Sequence, residues 1–163
     1  MLKLIYKPSD ILRGVLIYSI GDTIASIILS DFSPARMLGT MLIGGTFYAF
    51  EIPNYFRWID SKTGGMTGLR GSMSRTGLAI LYFNPLWIAR HLLFIQILQC
   101  SWNSINLNLL RLGLYSFMLN VPVAFTANYL IQNKVPLRWR FFSSAVFSSL
   151  MAIYYALSQA IFN

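Results

Sequence analysis

Between residues 11 and 161 the chain offers five mostly apolar stretches, back to back, each about as long as a helix that crosses a bilayer. Crossing about 30 Å of hydrocarbon takes roughly 20 such residues. They must be helical, because lipid offers no partner for a backbone N–H or C=O. A water-soluble fold has no interior large enough to hide this pattern. Of the 163 residues, 56% are apolar and 11% charged, against about a quarter charged in ordinary soluble domains. The sequence therefore predicts an all-α fold, a polytopic transmembrane helix bundle forming a single domain over residues 1–163.

Punctuation between the stretches places the spans at about 11–30, 35–56, 76–98, 109–132 and 141–161. Ser9 or Asp10 can cap the first. Ser33 as N-cap with Pro34 at the first helical position opens the second. The Gly-rich, basic stretch from Asp60 to Arg75 is expected to be the one sizeable loop, being too polar for lipid.

Charge gives an independent reading. Ten of the thirteen Lys and Arg residues fall in three groups: Lys3, Lys7, Arg13; Arg57, Lys62, Arg70, Arg75; Lys134, Arg138, Arg140. Five crossings put all three on one face. Arg36 and Arg111 then lie opposite, Arg90 sits within a span, and the positive-inside rule places the N-terminus inside. Four spans with a re-entrant or interfacial segment is the alternative, because Asn120, Pro122 and Asn128 interrupt the fourth stretch. The net charge of +8 is dispersed over connectors and not gathered on one soluble face, which speaks against nucleic acid as a partner. Anionic headgroups and topology account for it.

Cys100 is the sole cysteine, so a disulfide within the chain is excluded. The first apolar run lacks a small-residue cleavage site and should remain as a span. A weak internal repeat relates Arg36, Ala49, Phe50, Asn54 and Tyr55 to Arg111, Ala124, Phe125, Asn128 and Tyr129.

The residues that cost most to bury are Asp22, Glu51, Arg90 and His91, at roughly 2.5 to 3.5 kcal/mol for a charge at a span centre. They form a candidate intramembrane polar network or pore lining. Counting from the same face puts Asp22 and Arg90 at nearly equal depth, so they are expected to pair. A structural ion pair between spans one and three is the plainer account. His91 has no second His or Cys near it and reads as a hydrogen-bonding residue, not a metal ligand. Pro53, Pro85 and Pro122 are expected to kink spans two, three and four. Gly21 with Ala25, and Gly39, Gly44 and Gly45, supply close helix packing. Trp58, Trp102 and Trp139 read as interfacial anchors. No phosphate loop, carboxylate pair, nucleophile–base pair or metal-ligand cluster is present in the sequence. No catalytic, cofactor-binding or metal site is therefore expected, and the chain does not read as an enzyme.

Taken in order, several motifs resemble one family. Gly21-Asp22-Thr23-Ile24-Ala25 resembles the Gly-Asp box in the first helix of the Mpv-seventeen and peroxisomal membrane protein twenty-two family. Asp31 with Arg36-Met37 and Gly39 is similar to the opening of its second helix, and Arg57-Trp58-Ile59-Asp60 to the end of it. Pro85-Leu86 resembles the proline of the third helix, and Ser101 to Ile105 the connector that follows. Val135-Pro136-Leu137 with Trp139-Arg140 is similar to the box before the last helix, and Leu157-Ser158 to its close. Ser26 stands where that family usually has glutamine, and apolar residues stand near Ala79 and Ile80 where it has an Asp-Gln pair.

The resemblance implies a helical bundle proposed to form a solute-permeable channel, without established catalysis. It implies residence in the mitochondrial inner membrane, the peroxisome or, through bacterial relatives, the bacterial plasma membrane. Partners expected from the residues are the lipid bilayer and either further copies of the chain or other membrane subunits. A non-transporting structural subunit and a small-solute exporter are the alternative functions.

Overall fold

The structure is a computed structural model that describes the backbone of residues 3–162, and their side chains apart from residues 155, 156 and 158–162. The described residues are helical, without strands. They form α1 (Pro8–Ile28), α2 (Pro34–Ile43), α3 (Ala49–Thr63), α4 (Gly68–Tyr82), α5 (Pro85–Leu98), α6 (Asn108–Lys134) and α7 (Leu137–Phe162). A wide π-helical turn, Gly44–Tyr48, carries α2 into α3 without a break, and two residues part α4 from α5. The result is five helical rods, each overlapping one of the five expected spans. Among the described residues, three stretches, Pro8–Ile28, Gly68–Leu98 and Asn108–Lys134, are long and apolar enough to cross a membrane.

The chain divides into two compact units. One holds α1, α2, the π turn, α3 as far as Arg57, and α7. The other holds α3 from Trp58 together with α4, α5 and α6.

In the first unit α1 wears its polarity inside out. Leu12, Leu16, Ile20, Ile24 and Ile27 are exposed at helical spacing, while Gly14, Ser19, Gly21, Asp22, Ala25 and Ser26 are buried. Small residues on the buried face let backbones touch. A Cβ on Gly14 would run into the carbonyl of Gly44, and one on Gly44 into the carbonyl of Gly14. Gly21 likewise faces Ser149 of α7, whose hydroxyl donates to Ile17 O at 2.9 Å. Nearer the start of both helices, Arg13 Nη1 donates to Arg138 O at 3.0 Å. Moving from Arg13 to Gly21 thus moves from Arg138 to Ser149, and α1 and α7 run parallel.

Helix α1 ends in a Schellman turn: Ser30 adopts φ 55°, its N–H bonds Ile27 O at 3.0 Å, and Asp31 N–H bonds Ser26 O at 2.8 Å. Ser33 then caps α2, its Oγ accepting from Arg36 N–H at 3.4 Å, with Pro34 following as expected.

The second unit is α6 packed on α4 and α5. Gly113 permits the approach, since a Cβ there would lie 2.5 Å from Pro85 O and 3.3 Å from Ala89 Cβ. At the far end of α6, Asn133 accepts from Arg75 Nε at 2.8 Å and donates to Thr76 Oγ1 at 3.2 Å. Helix α5 closes as α1 does. Cys100 takes φ 54°, and its N–H and that of Ser101 bond Ile97 O and Gln96 O at 3.1 and 2.9 Å.

Two expectations are corrected. The stretch from Asp60 to Arg75 is mostly helix, since α3 continues to Thr63 and α4 begins at Gly68, leaving Gly64 to Thr67 as the connector. Its Lys and Arg residues are good helix formers, so the polarity of the stretch does not keep it from being helical. Pro85 does not kink a helix. Asn84 ends the approach from α4 and caps α5, its Oδ1 accepting from Leu86 N–H at 2.9 Å and Trp87 N–H at 3.1 Å. Pro85 then sits in the first turn, where a missing N–H costs nothing. Pro53 and Pro122 do lie inside helices.

Candidate functional site

The Schellman turn folds the chain back so that the first turn of α2 lies beside the last third of α1. That placement brings Arg36 to Asp22. Arg36 Nε donates to Asp22 Oδ2 at 2.9 Å and Nη2 to Asp22 Oδ1 at 2.8 Å, a two-pronged match of guanidinium to carboxylate. The remaining Nη1 reaches Asp31 Oδ2 at 2.8 Å. The Asp22 and Arg36 side chains are 9% and 8% exposed, whereas Asp31 is 54% exposed. A planar fork with five donors suits this arrangement where a lysine would not. The buried pair is neutral as a unit, and Asp31 leaves one negative charge at its solvent edge.

The expected Asp22–Arg90 pair is therefore corrected: both oxygens of Asp22 are taken by Arg36. Depth counting finds residues at similar height but says nothing about which helix stands adjacent. The sequence signal for the true partner is the short connector, which makes consecutive helices neighbours. Arg36 is also not a free charge on the face opposite the basic groups.

Glu51 lies half-buried on α3, one turn after the π-helical segment and two residues before Pro53. Asn54, 6% exposed, follows, an uncharged residue whose role has no signal in the sequence. Its side chain holds the extended segment that precedes α1. Oδ1 accepts from Ile5 N–H at 3.0 Å, and Nδ2 donates to Ile5 O at 2.8 Å and Phe50 O at 2.7 Å. Arg57 Nη2 adds a bond to Ile5 O at 3.2 Å and one to Asn54 Oδ1 at 2.6 Å. Tyr6 OH bonds Gly45 O, and its ring meets Phe50 edge-on with centroids 5.8 Å apart.

Arg90 and His91 belong to the second unit, on α5. His91 stacks on Trp87 with centroids 5.9 Å apart and planes 5° from parallel. Asn128 of α6 is 4% exposed; its Nδ2 bonds Ala124 O at 2.9 Å, and its buried Oδ1 has no partner among the described residues. In the internal repeat, Asn128 corresponds to Asn54, whose equivalent Nδ2 bond goes to Phe50 O. Among the described residues no three of His, Cys, Asp and Glu gather as a metal site would require.

The remaining motif residues fall at structural junctions. Trp58 and Asp60 lie within α3, and Val135 and Pro136 separate α6 from α7. Arg140 lies in the first turn of α7. Trp139 is covered by Arg13, whose Cζ stands 4.6 Å from the ring centroid. Ser158, from the closing Leu157-Ser158 motif, lies outside the residues whose side chains are described. Compared with family models, curated proteins and solved structures, the chain matches none of them.

Proposed function

We propose that the chain is a multi-pass integral membrane protein of five crossings whose bundle passes small hydrophilic solutes. The inverted polarity of α1 carries this reading: a helix with Leu12, Leu16, Ile20, Ile24 and Ile27 outward and Ser19, Asp22 and Ser26 inward suits lipid outside and polar groups inside. The buried, unpartnered Oδ1 of Asn128 fits an interior that admits water. The parallel run of α1 and α7 fits an odd number of crossings. The Gly21-Asp22 box and the Asp31, Arg36 pattern, on either side of the α1–α2 connector, meet in one ion-paired cluster, which supports the likeness to the Mpv-seventeen and peroxisomal membrane protein twenty-two family. That likeness points to the mitochondrial inner membrane or a bacterial plasma membrane.

Asp22 is held by Arg36, so the contribution of a carboxylate to charge selectivity in a pore is tested at Glu51. A second reading, a structural subunit that binds other membrane chains, is favoured by the same neutralised pair and by the Gly14–Gly44 backbone contact. Flux of small charged and neutral solutes from liposomes decides between them. Transport requires leakage above empty liposomes and a change in anion-to-cation preference in Glu51→Gln. Folded, inserted protein without flux would leave the structural subunit.

A further inference from the structure

We propose that the shared starting end of α1 and α7 is a binding site for the phosphate headgroup of an anionic phospholipid. The proposal rests on the membrane reading above, since a bilayer supplies the occupant. Because α1 and α7 run parallel and side by side, the basic residues at their starting ends share one end of the pair. Lys3 and Lys7 are exposed before α1, and Arg138 is exposed in the first turn of α7. Arg13 is fixed between the helices by its bond to Arg138 O at 3.0 Å and by the Trp139 ring 4.6 Å below its Cζ. A guanidinium held in this way has little freedom left to lose on binding an anion.

The acid that faces this group is Asp10, 9% exposed and 3.4 Å from Arg13, with Lys7 and Arg57 also within electrostatic reach of it. Among the described residues, Lys3, Lys7 and Arg138 have no carboxylate within ion-pair distance. Three cations, Arg13, Lys7 and Arg57, therefore act on one buried carboxylate, and Arg138 joins them through the bond from Arg13 to its carbonyl.

What selects a lipid over a free anion is the apolar surface beside the charge. Leu4 and Leu12 are 62% and 60% exposed, and Trp139 and Phe142, in edge contact with centroids 5.7 Å apart, are 40% and 39% exposed. A headgroup that brings its own acyl chains covers both surfaces, as aromatic and basic residues at a bilayer interface do together.

The test measures lipid binding to detergent-purified protein by native mass spectrometry, comparing phosphatidylglycerol with phosphatidylcholine. Parent protein should prefer phosphatidylglycerol, and the preference should fall as salt rises. Lys7→Gln with Arg138→Gln should lose on the order of fivefold in affinity per cation removed, while Arg111→Gln, on α6, should change nothing. Equal binding of the two lipids, or a double variant that binds like the parent, overturns the proposal. So does displacement of the lipid by millimolar inorganic phosphate at constant ionic strength, which would make the occupant a free anion. Should the double variant fail to fold, the salt dependence of the parent decides alone. Carbonate extraction of membranes, done first, separates this from the membrane reading: protein released by carbonate defeats that reading, whereas inserted protein without lipid preference defeats only the headgroup site.

Discussion

Arg36 grips Asp22 with two parallel hydrogen bonds of 2.9 and 2.8 Å, from the first turn of α2 onto the buried face of α1. Each charge alone would be costly at that position, and together they require the α1–α2 turn to keep its shape. The pair is better understood as a lock on this corner than as a charged pore lining.

Breaking the lock from one side should be worse than removing it. Arg36→Met leaves Asp22 buried without its partner and should cost roughly 3 to 5 kcal/mol, and Asp22→Asn, after which Arg36 keeps the half-exposed Asp31, should cost less. The double change should recover much of the loss, giving a coupling that simple addition of the single effects would disprove. Asp31→Asn should cost less than about 1 kcal/mol, since that carboxylate is 54% exposed. Combined with Arg90→Leu, Asp22→Asn should be additive. Thermal unfolding in a mild detergent measures all of these.

The glycines should divide into two kinds. Gly14→Ala or Gly44→Ala drives a methyl group into a facing backbone carbonyl, which cannot rotate away, and should cost about 3 kcal/mol or more. At Gly77, within α4, an added methyl group would meet nothing within 4 Å, so Gly77→Ala should stabilise by about 0.5 to 1 kcal/mol. Equal melting temperatures for Gly14→Ala and Gly77→Ala would remove the Gly14–Gly44 contact from the account.

What is legible in the sequence, and what is not, follows from the range of each signal. Ser33-Pro34 names a helix start because capping is local, and the same signal stands at Asn84-Pro85, where the apolar run on either side obscures it. Gly21, Gly44 and Gly45 can be recognised as packing residues from their spacing. Gly14 gives no such sign, because its need for space is set by a turn thirty residues away. Partner choice for Asp22 depends on which helix is its neighbour, which depth along a span does not encode. Asn54 is silent because an uncharged amide in an apolar stretch carries no cost signal until the backbone it binds is known.

At the break between α4 and α5, Asn84 holds both sides: its Oδ1 accepts from Leu86 and Trp87 N–H, and its Nδ2 donates to Leu81 O at 2.9 Å. Asn84→Ala should cost about 1 kcal/mol. Pro85→Ala should cost less than about 1 kcal/mol, because no helical bond is lost or gained at that position. Hydrogen exchange at Leu86 and Trp87 should rise in Asn84→Ala and stay near the parent in Pro85→Ala. The reverse pattern would mean that the proline, not the cap, sets the break.

The last prediction concerns which side of the membrane the connectors occupy. Gly68–Leu98 is long and apolar enough to cross, so Ser61 before it and Cys100 after it should lie on opposite sides. Cys100 is exposed and is the chain's own thiol, which makes it a natural reporter for the face opposite the basic groups. It also sits at φ 54°, a conformation glycine adopts at no steric cost. Cys100→Gly is therefore a suitable background, expected to keep or raise stability, in which Ser61→Cys reports the other face. An impermeant maleimide added to sealed, oriented vesicles should modify Cys100 in the parent from one side only, and Ser61→Cys from the other only. Modification of both from the same side would mean that the stretch from Gly68 to Leu98 enters and leaves by one face, turning at Asn84, and the five-crossing arrangement would have to be abandoned for one with a re-entrant third rod.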